Sequence, residues 1–583
     1  MKNTKDPVWT LAITRGHNGA TTLFKDNEMI FYVEEERLTR QKYDGSPLAG
    51  IIKATEYTDV IDELILCHTY EQAPQLDWTG EDVYQGLLRK MGYSGFRTTN
   101  LGSAHHLTHA ACAFYNSGFD TAAAIVVDGA GSVMGINEKG DAGYEFESIF
   151  DCSYPSQFDL VYKRIGTNDV VAKRPLKEDI EIDITVSENP GITKTYEAAT
   201  EYCGFGFIEA GKTMGLSPYG KEDENIPDFI INGEGNRSLL RPMYPGGALV
   251  NESFYEYLKR KPQDGKDIWT KKQKNVAWKV QRQTEKAMID LIQKAIDKTG
   301  QTNIVIAGGF GLNCVANYKY KKHFGDDVNI YVEPISHDGG TSIGAAKFAY
   351  HMRTKSREKN PLTSLYLGPQ YDPETYEVEL NKHDDIEITE VTKKDVATLI
   401  SEGNILTMFQ GRSEAGPRAL GNRSILFDPT VKDGKDIVNE VKHREFFRPF
   451  AGTVLKEYVH DWFDLAGMDE TPYMMYAVDV KEDKLDVIPS ITHVDGTCRI
   501  QTVTREQNEN YYELIEEFKK IKDIPILFNT SFNLGGEPLV ETIEDAVRTL
   551  QNSDLNYLYL PEINKLVKCE TNLRATEEES EED

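Results

Sequence analysis

Hydrophobic positions first gather at 8–15 (VWTLAITR), an apolar run that predicts a buried strand ending at the polar, glycine-containing turn GHNGA. Apolar runs return at 20–24 and, after the turn Lys25-Asp26-Asn27, at MIFYV, 29–33, so the chain should open as a three-stranded meander. A related pattern restarts at Ala123 with AAAIVVDGAGSV and continues in an apolar run near YEFESIF. The period then changes. Across 276–299, Val280, Ala287, Met288, Leu291, Ile292, Ala295 and Ile296 recur on one helical face, and Gly300 is placed to end that helix. NIVIAGGFGLN reads as a buried strand running into a glycine loop, and EPISHDGGTSIGAAKFAY as a loop feeding a helix of small residues. A polar, proline-containing stretch at 352–368 (MRTKSREKNPLTSLYLG) precedes a part of different texture, with strand-like runs NILTMFQ, AGTVL and IPILFN and many arginines. The expected division is 1–358, 359–575 and an acidic tail, 576–583.

Two related halves, each opening with a strand that carries a polar group into a glycine turn, point to an α/β class. They suggest the duplicated ribonuclease-H-like architecture of sugar kinases, actin and Hsp70. Length agrees with more than one domain, since 583 residues exceed the roughly 250–300 at which a single core stops growing. With 39% hydrophobic and 27% charged residues, the composition excludes a disordered or collagen-like chain. No stretch approaches a membrane span and MKNTKDPVWT has no apolar signal core, so a soluble, cytoplasmic protein is expected. Seven scattered cysteines without a CxxC pair argue against a disulfide framework or a thiolate zinc site. The net charge is −29, with six acidic residues among the last seven. Such a field repels polyanions at long range and argues against indiscriminate duplex binding, while leaving a local basic site open.

Three clusters carry candidate chemistry. In SAHHLTHAACAFYNSGF, a helix would set His105 and His109 at i and i+4, within reach of one cation; His106 and His109, at i and i+3, offer a second pairing. Asp128 ends the strand IVVD and Asp338 lies in the loop SHDGG. Two imidazoles and two carboxylates suit iron(II), manganese or zinc, the alternative being ordinary core histidines. The second cluster comprises the glycine loops GGFGLN (Gly308 to Asn313) and GGTSIGAA (Gly339 to Ala346), whose backbone N–H groups suit nucleotide phosphates, although tight turns need glycine equally. The third is cationic: Arg412, Arg418 and Arg423; then Lys442, Arg444 and Arg448; then Arg499, followed by Asn529, Thr530, Ser531 and Asn533 in FNTSFN. In so acidic a chain these suggest a polyanionic small-molecule site, such as a nucleoside triphosphate with a second phosphorylated substrate; ion pairs bracing the fold are the alternative.

Together GHNGA, HHLTHA, VVDGAGS, MGLSPYG, GGFGLNCVAN, EPISHDGGTSIGAA, GRSEAGPRALGNRSIL, KHREFFRPFAG, HVDGTCRIQTV and NTSFNLGGEP resemble, in order and over nearly the whole chain, the O-carbamoyltransferase family of nodulation-factor and antibiotic biosynthesis. The resemblance implies an actin-like N-terminal domain similar to the tRNA threonylcarbamoyl transferase, and a YrdC-like C-terminal domain. It implies that ATP and carbamoyl phosphate give carbamoyl-adenylate with release of phosphate and pyrophosphate, and that an acceptor hydroxyl then displaces AMP. By matching motifs, His105, His109, Asp128 and Asp338 resemble ligands of Fe2+ or a similar divalent ion. His17 resembles a general base. Gly308, Gly309, Gly311 and Asn313 would line the adenylate site. Arg418, Lys442, Arg448, Arg499, Asn529 and Ser531 would grip ATP, its Mg2+ and carbamoyl phosphate.

The chain departs from the family in GKTMGLSPYG, which lacks the usual Glu-Tyr-Lys lead, and at 161–200, which matches no family motif and is expected to shape the acceptor pocket. Expected acceptors are a small molecule or nucleotide with a free hydroxyl, including a hydroxymethylated pyrimidine nucleotide. A hydroxymethylated base in DNA ranks lower on charge, and would need a basic cleft such as Lys163, Arg164, Lys173 and Arg174. Phosphotransfer by a kinase of the same fold and threonylcarbamoylation of tRNA are the competing activities. No membrane partner is expected, and a homodimer is left open.

Overall fold

The computed structural model describes residues 6–68, 82–135, 142–168, 174–175, 182–254 and 268–569. The chain forms two compact units, one of residues 1–35 with 43–363 and the other of 36–42 with 364–583.

In the first unit, β1 (Trp9–Arg15), β2 (Ala20–Lys25) and β3 (Glu28–Glu34) form the meander, and β4 (Glu63–His68) and β5 (Arg97–Asn100) add parallel to β1. The sheet order is therefore β3-β2-β1-β4-β5. Five strands of the eight-stranded second sheet repeat it. Beyond α1 (His105–Ser117), β6 (Thr121–Val127), β7 (Ala142–Ser153) and β8 (Gln157–Gly166) run antiparallel, and β9 (Asn303–Ala307) and β10 (Asn329–Val332) add parallel to β6. Within it the order β8-β7-β6-β9-β10 matches that of the first sheet, which is the duplication the sequence pattern suggested, and three short strands extend it. Inner parallel strands are covered on both faces, which is why TAAAIVV and NIVIA read as unbroken apolar runs.

α2 (Ile192–Tyr202) and α3 (Lys271–Thr299) follow the second meander. α3 starts earlier than its apolar face suggests: Thr270 caps the Gln273 N–H at 3.2 Å while the Gln273 side chain receives the Thr270 N–H at 3.0 Å, and Gly300 closes the far end at φ 71°. α4 (Cys314–Phe324) follows β9, and α5 (Gly340–Thr354) follows β10. The small residues of α5 let it lie against α1: a Cβ on Gly344 would sit 1.9 Å from the Thr108 carbonyl oxygen.

The second unit is a ten-stranded mixed sheet. In chain order its strands are β11 (Ile386–Glu390), β12 (Leu406–Phe409), β13 (Arg423–Phe427), β14 (Ala451–Leu455), β15 (Phe463–Asp464), β16 (Ala477–Val480), β17 (Thr497–Val503), β18 (Ile526–Ser531), β19 (Tyr557–Leu560) and β20 (Lys565–Cys569), with α6 (Gly434–Val441) leading into the KHREFF stretch. Spatially they run β11-β20-β19-β12-β13-β18-β14-β17-β16-β15. The sequence reading did not anticipate that 36–42 belongs here. Arg37, buried, donates to the Gly416 carbonyl at 2.8 Å, and Arg40 donates to the Pro538 carbonyl at 3.0 Å.

All seven cysteines are free and buried. No helix among the described residues is long and apolar enough to cross a membrane. The acidic tail at 576–583 lies outside the described residues.

Candidate functional site

The histidine–aspartate cluster forms where elements of the first unit end. His105 opens α1 and His109 follows one turn later; Asp128 ends β6, and Asp338 precedes α5. One ligand atom from each lies within 4.8 Å of all the others, and all four residues are buried. The His105 Nδ1–H donates to the His68 carbonyl at 3.1 Å, which directs Nε2 into the cluster. There it meets Asp128 Oδ2 at 3.2 Å and His109 Nε2 at 3.1 Å, and Asp338 Oδ1 lies 3.6 Å from His105 and 3.5 Å from His109.

Burial disfavours charge on His105, but Asp338 and then Asp128 outweigh it and hold the ring near a pKa of about 10. For Asp128, burial and Asp338 push the carboxyl up, yet His105 and His109 bring it well below the usual carboxylate range. Asp338 is likewise held low, against burial, by His17, His105 and His109. A proton can serve only one contact between two facing imidazole nitrogens, whereas a divalent ion satisfies both nitrogens and both carboxylates. The donor set therefore fits a borderline divalent metal.

The pairing left open in the sequence is decided here. His106 turns away, its Nδ1 2.8 Å from Ser148 Oγ, and burial holds its pKa down at about 3. His17 does approach the cluster: its Nδ1 lies 3.6 Å from Asp338 Oδ2 and its side chain is about half exposed, at 48%. The last residue of β3 braces the same loop, with Glu34 3.0 Å from His337 Nε2.

The glycine loop lies against this centre. Gly308 sits at φ 89°, and a Cβ there would come within 2.3 Å of the Val127 carbonyl oxygen, so only glycine lets the end of β9 pass the end of β6. The Gly309 N–H donates to Asp128 Oδ1 at 3.2 Å, and the Gly311 carbonyl accepts from Asn317 Nδ2 at 2.8 Å. Asn313 caps α4 through the Ala316 N–H at 3.1 Å and exchanges two hydrogen bonds with Gln281, so its amide braces the loop.

Sequence reasoning missed two groups beside the cluster. Lys194 and Glu197 on α2 pair at 2.8 Å, and a Cβ on Gly129 would meet Glu197 Oε1 at 2.6 Å, which places the pair against the loop after Asp128. Their i, i+3 spacing inside 161–200 reads like any surface ion pair. Arg15 packs its guanidinium on His68, with Nε 2.6 Å from Nδ1, and burial, then Arg15, bring His68 down to about 4. Nothing in the sequence connects residues 15 and 68 before β1 and β4 pair in register.

The anticipated basic cleft does not form from Lys163 and Arg164, because both are buried and ion-paired, with Glu145 and with Glu147 and Glu234. Lys173 lies outside the described residues, as do the rest of 169–173 and 176–181.

In the second unit the cations divide. Arg412 spends its donors on the Gly368 and Leu367 carbonyls, both at 2.6 Å, and Arg423, fully buried, donates to Gln410 and Asn422 carbonyls and lies 3.6 Å over Phe409. These two brace the fold, the plainer of the two sequence readings. Lys442 is buried at the end of α6 and donates to the Ser531 and Asn533 carbonyls and to Asn533 Oδ1, all neutral acceptors. Burial, then Arg444 and Arg448, push its pKa well down, and burial with Arg448 and Arg499 does the same to Arg444. The register sets Arg499 on β17 beside Ala451 on β14, and Ala451 beside Asn529 on β18. Asn529 donates to Thr453 Oγ1 at 3.0 Å and the Ala419 carbonyl at 3.3 Å, while Ser531 Oγ is 2.6 Å from Asn533 Oδ1. Arg448 pairs with Glu445 at 3.5 Å, and Arg418 is half-buried in the loop before β13. A bound anion would relieve cations that depress one another's protonation in this way.

Residues 75–347 match the family model described as carbamoyltransferase N-terminus, and 397–566 match carbamoyltransferase C-terminus. Nodulation protein NolNO of Sinorhizobium fredii is 31% identical over 93% of this chain and 78% of its own length. A Synechocystis protein, uncharacterized protein sll1178, is 30% identical over 93% of this chain and 94% of its own. Among solved structures, full-length HypF in its phosphate- and nucleotide-bound form is 12% identical, covering 60% of this chain and 56% of that chain, with a TM-score of 0.35. The chain belongs to the carbamoyltransferase family and is an enzyme that transfers a carbamoyl group.

Proposed function

We propose that the enzyme makes carbamoyl-adenylate from ATP and carbamoyl phosphate in its C-terminal unit, which we read as YrdC-like, and passes the carbamoyl group to an acceptor hydroxyl in its N-terminal unit. Water would convert carbamoyl phosphate to carbamate and phosphate. A carbamate oxygen would then attack the α-phosphorus of ATP and expel pyrophosphate. Lys442, Arg418, Arg448 and Arg499 would offset the charge that accumulates as these anions meet. Asn529 and Ser531 lie beside them as neutral partners, and Mg2+ would accompany ATP.

The observation that carries the reading is the convergence of His105, His109, Asp128 and Asp338, with His17 alongside. Those four residues would hold Fe2+ or a similar divalent ion, whose chemistry is Lewis-acid polarisation of the adenylate. Gly308, Gly309 and Gly311 keep the adenylate loop close to Asp128, and Asn313 fixes its shape. His17 would take the acceptor's hydroxyl proton as its oxygen attacks the carbamoyl carbon and AMP departs. The Asp338 carboxylate, 3.6 Å from its Nδ1, would orient the ring. A small-molecule or nucleotide acceptor suits the acidic chain, and the burial of Lys163 and Arg164 removes part of the support for DNA.

The test is incubation of candidate hydroxyl acceptors with ATP, Mg2+, ferrous ion and carbamoyl phosphate, read by mass spectrometry and nucleotide analysis. The expected outcome is AMP, pyrophosphate and an acceptor heavier by one carbamoyl group. ADP as the product would instead identify a phosphotransferase, and failure to split ATP between its α and β phosphates would end the proposal.

A further inference from the structure

Asp338 reaches the metal cluster from a loop, and its ligand oxygen lies within 4.8 Å of that of Asp128. Two carboxylates so close repel each other unless a cation lies between them, so the loop needs anchoring. On its helix side Thr341 supplies an anchor, its hydroxyl donating to the Asp338 carbonyl at 2.6 Å. On the other side stands His337, buried like Asp338 itself. The Gly339 N–H donates to His337 Nδ1 at 3.1 Å. A backbone N–H can only donate, so Nδ1 carries no proton and the ring N–H is at Nε2. That nitrogen lies 3.0 Å from Oε1 of Glu34, the buried last residue of β3. The imidazole therefore spans from the residue after Asp338 to a strand of the first sheet. The fit is close, since a Cβ on Gly339 would come within 2.4 Å of Tyr32 Oη and 2.8 Å of His337 Cε1.

Neither side chain is among the four that converge on the cluster, so both act on it through the loop. Partners behind the ligands fix ligand orientation and commonly decide how tightly an ion is held. We propose that His337 and Glu34 are positioning residues of the metal centre, the His337 ring clamping the Asp338 loop to the end of β3 so that Asp338 stays within reach of the ion. The inference rests on reading the four-residue cluster as a metal site, and adds to it two residues that hold no ion themselves.

The full chain, freed of metal with a chelator, is titrated with Co2+, whose visible bands report its ligand set, and with Mn2+ by calorimetry. Glu34→Ala and His337→Ala should each weaken binding by about 10–100-fold and alter the Co2+ bands. Glu34→Gln, whose amide oxygen can still face the Nε2–H, should stay within about threefold of the native affinity. Because the two side chains serve one contact, the Glu34→Ala, His337→Ala double variant should bind about as weakly as either single one. Thermal melts of the metal-free proteins identify a folding defect, and His337→Phe, which keeps a ring but removes both nitrogens, then carries the same expectation. Native affinity and bands in the Glu34 and His337 variants would overturn the inference, as would losses that multiply in the double variant. If the native chain binds neither ion, the metal reading itself fails and this inference falls with it.

Discussion

His105 has its orientation set by a backbone carbonyl on one side and its charge by two carboxylates on the other. Its neighbour in sequence, His106, is held neutral against Ser148. Adjacent, chemically identical side chains thus take opposite roles because α1 turns them to different walls. In the proposed division of labour, His109→Ala should abolish metal binding and carbamoyl transfer while pyrophosphate release continues, and Arg448→Ala should stop pyrophosphate release while metal remains bound. Metal analysis and a pyrophosphate assay on the two proteins check this, and loss of the same step in both would show that the two clusters are not separate sites. A second residue carries a pH signature. Glu35 is buried, accepts the Ala49 and Gly50 N–H groups at 2.7 and 2.9 Å, and is pushed by burial up to about 7. The folded state then binds more protons than the unfolded chain between its ordinary pKa of about 4.5 and 7. Its contribution to stability is full below pH 4.5 and is lost as pH rises through 7, by on the order of 3 kcal/mol. Denaturant midpoints across this range should fall more steeply for the native protein than for Glu35→Gln; parallel profiles would contradict the assignment.

At the scale of elements, the centre depends on how closely α5 lies on α1. α1 supplies the histidines, the loop into α5 supplies Asp338, and Gly344 permits their approach. Gly344→Ala should cost about 2–3 kcal/mol of stability by overpacking and also weaken metal binding, because Asp338 moves with its helix. Gly300→Ala offers the contrast. That glycine has open space around it and only a positive φ, so its replacement should cost about 1 kcal/mol and leave metal affinity unchanged. Thermal melts paired with metal titrations separate the two cases. The pattern of the sequence exposed the strands, α3 and the small-residue helix. It did not expose why that helix is small, because close packing is a relation between two helices more than two hundred residues apart in sequence.

Across the whole molecule, the chain does not divide at a single point. Segment 36–42 belongs to the C-terminal unit, held by Arg37 and Arg40. Arg37→Met should therefore destabilise that unit by about 2 kcal/mol, since it strips donors from the buried Gly416 and Glu414 carbonyls. Limited proteolysis should show new cleavage first within 364–569, although the substitution lies near the start of the chain; cleavage confined to the first unit would contradict it. Net charge behaves similarly. An excess of 29 negative charges describes the molecule at a distance, while Lys442, Arg444, Arg448 and Arg499 make one basic locus within it. The cationic motifs were visible in sequence, but nothing there separated Arg412 and Arg423, which brace backbone carbonyls, from the cations that gather at Lys442.

By itself the sequence determined the alternation of strands and glycine turns, the duplicated pattern, the helical spacing of His105 and His109, and the residue types available for binding metal and anions. These follow from local periodicity and side-chain chemistry, which a linear text carries in full. Tertiary structure alone decided that His109 shares its cluster with His105 rather than His106, that Lys194, Glu197 and Arg15 border that cluster, and that Lys163 and Arg164 are buried pairs rather than a basic surface. Burial and partner identity are properties of what lies across a sheet or helix interface, and those neighbours are set only when distant segments pack.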